Sequence, residues 1–227
     1  MSSPNTITMV VPAPRLSVFL PNEVLRMVFK LMLVFSSVSP PDRPVNATRF
    51  GMLFKCSMLA KFAVVSRQFH EVALAVFYEH NFFDFAANNN YRTSFGVVKA
   101  PPLPPLHLHS SLRNVRLLLH LTDSWGEAVQ LSDRVRWKDH PFTNTIELFR
   151  FCPAARVLEL LSTTMTELRV LDLHIAVDFR LSDRRAAIAI YRSAGFLVRA
   201  REVKLTIVNG IDGCSETWHA LLKNVIV

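Results

Sequence analysis

The chain has 227 residues, of which half are hydrophobic and 19% are charged; this composition supports a sizeable core and excludes a protein that is disordered throughout. The formal net charge is +8, but the excess is diffuse and no run of Lys and Arg alternates with aromatic residues, so an acidic partner is favoured over nucleic acid. Cys56, Cys152 and Cys214 are far apart and odd in number, which excludes a disulfide framework and a zinc-site spacing.

Residues 1–17 are expected to form a flexible tail. They lack the basic region of a secretory signal, and prolines interrupt their apolar part. No uninterrupted apolar run reaches about 18 residues, so no segment is expected to span a membrane. We therefore expect an intracellular protein, in the cytoplasm or nucleus, with reduced thiols.

The stretch 20–32, LPNEVLRMVFKLM, predicts a helix that is apolar on nearly every side. Pro21 suits its first turn, where the missing N–H would have no partner in any case. The apolar side chains are Val24, Leu25, Met27, Val28, Phe29, Leu31 and Met32. One core face does not require so much apolar surface, so either a second face binds another protein or both faces are buried within one domain.

Further elements follow along the chain. The Pro- and Ser-rich segment 36–49 is expected to be a mobile loop. A second helix is predicted within 64–80, because apolar residues recur there at the helical period. The segment 81–85, NFFDF, predicts a short strand.

These segments resemble the F-box. LPNEVLRMVF is similar to the first F-box helix, whose pattern begins Leu-Pro-x-Glu, and VSRQF (65–69) is similar to a later Val-Cys-basic-x-Trp element, with Ser66 for Cys and Phe69 for Trp. The continuation to residue 85 resembles F-box-like proteins abundant in filamentous fungi. The residues that match the first-helix pattern are Leu20, Pro21, Glu23, Val24, Leu25 and Val28.

The resemblance implies an F-box-like helical domain over 18–98. In that family, the F-box docks on the Skp-family adaptor of a cullin ubiquitin ligase, and the C-terminal part holds a protein substrate. The loop here is longer than in a compact F-box, and Phe69 replaces the usual Trp. The residues expected to bind the adaptor are Leu20, Pro21, Val24, Val28, Phe29 and Val65.

A Pro-rich connector, 99–106, is expected to lead into an irregular leucine-rich βα domain over 107–227. Three segments there, LRNVRLLL (112–119), LRVLDLHI (168–175) and AREVKLTI (200–207), share the form [LA]-Arg-x-Φ-x-Leu-x-Φ, where Φ is aliphatic. Their alternation predicts strands with one buried face. Helices predicted between them, at about 144–161 and 183–194, imply parallel pairing and an α/β fold with an open, curved layer.

The alternation also predicts which strand residues face away from the core. If the three strands lie side by side, these residues form one patch of mixed charge that is a candidate substrate face. The six residues are Arg116, Leu118, Asp172, His174, Lys204 and Thr206. The patch suits a protein segment better than a phosphate backbone, because Asp172 would repel phosphate.

No catalytic, phosphate-binding or dinucleotide-binding motif occurs in the chain. His107 and His109 would share one side of a strand, but no Cys or acid lies close by, so surface histidines are expected and not a metal site. Neither an enzyme nor a cofactor is expected. We read the chain as a substrate-recruiting adaptor that acts through protein–protein interaction. The alternatives are a scaffold that keeps the fold without adaptor binding and, less favoured, a basic nucleic-acid-binding protein.

Overall fold

The computed structural model describes residues 20–35, 44–46, 49–50, 61, 65–85, 103–131, 134–179 and 184–208. The helices are α1 (Asn22–Leu33), α2 (Arg67–His80), α3 (Thr145–Phe151), α4 (Pro153–Thr163) and α5 (Arg184–Ser193), with a 3₁₀ helix at Leu106–Ser111. The strands are β1 (Val45–Asn46), β2 (Phe82–Asp84), β3 (Asn114–Thr122), β4 (Ser124–Leu131), β5 (Arg134–Pro141), β6 (Leu168–Asp178) and β7 (Ala200–Val208). The expected tail, most of the expected loop and the first half of the connector lie outside the described residues.

Among the described residues, five strands form one parallel sheet in the order β1-β2-β3-β6-β7. The order follows the chain. The parallel pairing that the alternation of strands and helices predicted, and the α/β class, are confirmed. Asn114 pairs with Val170 and Leu168 with Ala200, so the three repeat segments are aligned position by position. Phe82 pairs with Asn114, which adds the Phe-rich strand to the same register.

One face of this sheet carries the core. Leu117, Leu119, Leu173 and Ile175 are almost completely buried, and α4 packs against β3 on that side. Burial of such side chains stabilises the fold by roughly 1.5–3 kcal/mol each. The predicted division between α3 and α4 is confirmed at Pro153, which starts α4, and Gly195 follows α5 with a positive φ of 66°.

Helices α1 and α2 lie side by side and run in the same direction. At their first turns, Gln68 Nε2 donates to the Leu20 carbonyl (3.2 Å) and to Asn22 Oδ1 (2.7 Å). Helix α2 begins after Ser66, whose hydroxyl accepts from the Phe69 N–H at 3.1 Å. Ser66 therefore serves as the N-cap of α2, a position at which Ser is strongly preferred.

Three parts of the fold differ from expectation. Val45, within the segment expected to be a mobile loop, is 1% exposed and pairs with Phe83, so that expectation is wrong at β1. The segment with His107 and His109 forms a 3₁₀ helix and not a strand. His109 is buried, with its ring nitrogens 2.8 Å from Thr164 Oγ1 and 2.9 Å from the Pro104 carbonyl, so it is not a surface histidine.

The antiparallel pair β4–β5 was not predicted from the sequence. Trp125 on β4 stacks on Phe151 at the end of α3, with ring centroids 4.3 Å apart, and on His140 of β5, at 4.8 Å. These contacts anchor the pair to the helical side of the domain.

Candidate protein-binding surfaces

Helix α1 has an apolar face on each of two sides. Leu25, Phe29 and Leu33, spaced four residues apart, are at most 2% exposed and join the core. A second set of apolar residues lies on the opposite side, because at about 100° per residue these positions fall away from the core face. The exposed set is Leu20 (39% exposed), Val24 (43%), Met27 (68%), Val28 (44%) and Leu31 (90%). We call it the α1 apolar face.

The contact between the two helices decides which side of α1 is buried. The Phe29 ring packs edge-on against Phe69 of α2, with centroids 5.9 Å apart, and Phe29 itself is 1% exposed. The prediction that Phe29 binds an adaptor is therefore wrong, since its side chain belongs to the core of this domain. The Phe69 ring thus packs on the buried side of α1.

The other predicted adaptor residues are accessible. Val24 and Val28 lie on the α1 apolar face, and Leu20 and Pro21 precede its first turn. Val65 is 61% exposed, and it lies near these residues because Gln68 holds the start of α2 against the start of α1. Met27 and Leu31 were not among the predicted binding residues.

Asn81 fixes the far ends of both helices. Its Nδ2 donates to the carbonyls of Leu33 (2.7 Å) and Phe77 (2.9 Å), and its Oδ1 accepts from the Phe35 N–H at 2.7 Å. The side chain is fully buried, and the polar atoms of its carboxamide are hydrogen-bonded. Asn81 thus satisfies a carbonyl at the C-terminus of α1, where the helix leaves carbonyls without intrahelical partners.

The face of the sheet opposite the core carries the six predicted substrate-face residues. Pairing places Arg116 beside Asp172 and Asp172 beside Lys204, and the next row contains Leu118, His174 and Thr206. This placement of the six residues on one face agrees with the alternation of the strands.

Their charges are nevertheless paired with one another. Arg116 Nε lies 2.7 Å from Asp172 Oδ2, and its Nη1 lies 3.3 Å from Asp84 Oδ2; His174 Nε2 lies 3.1 Å from Asp172 Oδ1. Desolvation works against the Arg116 charge, but the hydrogen bond and the charge of Asp172, followed by those of Asp84, outweigh it and raise the Arg116 pKa. Asp172 is only 8% exposed, so the expectation that it is an accessible charge of the patch is wrong.

A buried polar cluster joins the helices to the end of β3. The Tyr191 hydroxyl donates to the Thr122 carbonyl at 3.0 Å and lies 3.3 Å from the buried Cys152 Sγ. Burial, reinforced by Cys152, raises the Tyr191 pKa well above its usual value. The described part of the chain contains no group of three or more His, Cys, Asp or Glu that could hold a metal ion, and no helix in it is long and apolar enough to cross a membrane.

No family model, no curated protein and no solved structure matches the chain.

Proposed function

We propose that the chain is a non-catalytic, substrate-recruiting adaptor of a cullin-type ubiquitin ligase, in which the α1–α2 pair acts as an F-box-like docking unit for a Skp-family protein. The observation that carries this proposal is the α1 apolar face. A helix that already buries one apolar side in its own core presents a second one to solvent, and exposed apolar patches of this kind occur at protein interfaces.

The exposed side chains are numerous enough to supply an interface centre. Each would gain roughly 1.5–3 kcal/mol if a partner covered it fully. Leu31 and Met27 are 90% and 68% exposed. Most of the free energy of burying these two side chains is therefore still available when a partner binds. Binding also costs translational and rotational freedom, which the combined gain of several such side chains must exceed.

The test is direct binding of the full chain to a purified Skp-family protein, measured by calorimetry. The double variant Val24→Gln/Leu31→Gln removes two exposed apolar side chains without touching the core. We expect its dissociation constant to rise about a hundredfold or more, because each lost side chain contributes at least tenfold.

A matched control is Ile146→Gln on α3, which replaces another exposed apolar side chain, 78% accessible. It should bind as tightly as the unmodified chain. The proposal fails if the unmodified chain forms no stoichiometric complex, or if the double variant binds as well as the control. A failed complex would favour the reading of an interaction scaffold that lacks adaptor binding.

A further inference from the structure

A groove of about 690 Å³ lies at the amino ends of β6 and β7. Four arginines line it in the part of the chain that the structure describes: Arg113, Arg169, Arg199 and Arg201. We call it the arginine groove. Glu167 also lines it, as do the apolar side chains of Val198 and Val203.

The groove arises from the sequence repeat. The second position of each repeat segment is an arginine, and parallel pairing in register puts Arg113, Arg169 and Arg201 in one row across three strand starts. Neighbouring strands are about 4.8 Å apart, so the row extends over about 10 Å. This alignment puts three arginines side by side, which neither the composition nor the diffuse charge of the chain indicates.

The arginines of the row differ in what they contact. Arg113 is structural: its side chain is 13% exposed, lies 2.6 Å from Glu167 Oε2, and donates to the Ser110 and Leu112 carbonyls. Arg169 and Arg201 are exposed, and within the described parts of the chain no carboxylate pairs with either of them. Arginines that served only to stabilise the strand starts would be expected to have partners as Arg113 does.

The positive field of this edge reaches a neighbouring side chain. The pKa of His80, at the end of α2, is lowered first by burial and then by the charges of Lys30, Arg169 and Arg26, against the opposing effect of Glu79.

We infer that the arginine groove binds an extended, carboxylate-rich segment of a partner protein, in which Asp or Glu alternates with aliphatic residues. Guanidinium groups bind carboxylates in bidentate geometry. An extended chain rises about 3.3 Å per residue, so three or four residues bridge the row. Because successive side chains of an extended chain point to opposite sides, this alternation directs every acidic side chain of the segment at the arginines.

Nucleic acid fits the groove less well. Single strands are held by long basic grooves with aromatic side chains on which the bases stack. Among the residues that the structure describes, those that line this groove include no aromatic side chain. This site is separate from the α1 apolar face, so the inference stands or falls independently of adaptor docking.

The experiment uses the full chain and a fluorescein-labelled peptide of about eight residues that alternates Glu with Leu or Val, measured by fluorescence anisotropy. We expect binding that weakens as NaCl is raised, and loss of binding when every Glu of the peptide is replaced by Gln. Arg169→Gln and Arg201→Gln should each weaken binding about tenfold.

The matched control is Arg192→Gln, which removes an exposed arginine at the end of α5 that is not among the residues lining the groove. It should bind the peptide like the unmodified chain, and thermal melts should show that all three variants remain folded. Equal binding of the Gln peptide, unchanged binding by both groove variants, or equal weakening by Arg192→Gln would overturn the inference. So would binding of an oligothymidylate or a phosphoserine peptide under conditions in which the Glu peptide does not bind.

Discussion

Arg116 and Asp172, 56 positions apart in the chain, form an ion pair of 2.7 Å across β3 and β6. The same guanidinium serves Asp84, and the two carboxylate side chains are only 11% and 9% exposed. Arg116→Met would leave both carboxylates without that counter-charge. We expect the free energy of unfolding to fall by about 2–4 kcal/mol in urea titrations.

The control for Arg116 lies in the same row. Lys204 is on the edge strand, is about half exposed, and lies 3.4 Å from Glu202. Because exposed ion pairs contribute little, Lys204→Met should change the free energy of unfolding by less than about 1 kcal/mol. Equal losses for the two variants would show that Arg116 has no special role in the sheet.

Asn81 should be essential for the α1–α2 pair. Asn81→Leu keeps the volume but leaves the Phe35 N–H and the Leu33 carbonyl without their present partner. Buried groups left unpaired cost about 1–3 kcal/mol, so we expect a loss in that range or above it by chemical denaturation. Gln68→Ala removes the more exposed hydrogen bonds at the opposite end and should cost under about 1 kcal/mol.

Substitutions on the two sides of α1 should differ in their effect on the free energy of unfolding. Phe29→Ala empties a buried site against Phe69, and we expect a loss of about 3–5 kcal/mol. Leu31→Ala, at a position that is 90% exposed, should change stability by less than about 0.5 kcal/mol. If both variants are equally destabilised, Leu31 is packed and the α1 apolar face is not available to a partner.

The His80 pKa should respond to the arginine groove. Arg169 is one of the charges that lower it, so Arg169→Gln should raise the His80 pKa, measured by NMR titration of its ring protons. Arg192→Gln, on α5, should leave it unchanged. An unchanged His80 pKa in Arg169→Gln would show that the field of the groove does not reach α2.

The lowered pKa of His80 also makes the free energy of unfolding depend on pH. A histidine whose folded pKa lies below its unfolded value near 6.5 is favoured neutral in the folded state. Its contribution to stability is therefore present above about pH 6.5 and is lost as the pH falls through the folded pKa. Arg169→Gln should reduce this loss on acidification, which denaturant titrations between about pH 7 and pH 5 can measure.

The sequence predicted the sheet well because its information is local and repeated. The alternation of the three repeat segments set the buried face, and their shared form set the register that places Arg116 beside Asp172. Even the Phe-rich strand follows this pattern, with Phe83 opposite Val115. An aromatic residue stands there at the position at which the three repeat segments have an aliphatic one.

What the sequence did not predict depends on contacts between distant segments. A helix that is apolar all round does not indicate which side is core; in α1 the answer comes from Phe69, on another helix. Alternation assigned Asp172 to the open face correctly, but its burial depends on the neighbouring strands. The sequence shows an arginine at the second position of each repeat segment. The arginine groove exists, however, only because parallel pairing brings these arginines into one row.

The chain-following order of the strands has a consequence for synthesis on the ribosome. Each strand of the sheet pairs with the strand made just before it, so the sheet can be extended while translation continues. The longest interval separates Asn114 from Val170, 56 residues later, which at about 5–20 residues per second corresponds to several seconds. During that time one edge of β3 has no strand to pair with, because β6 has not yet been synthesised. A nascent chain stalled before residue 168 would therefore expose an unpaired, leucine-rich strand edge to chaperones or to other chains.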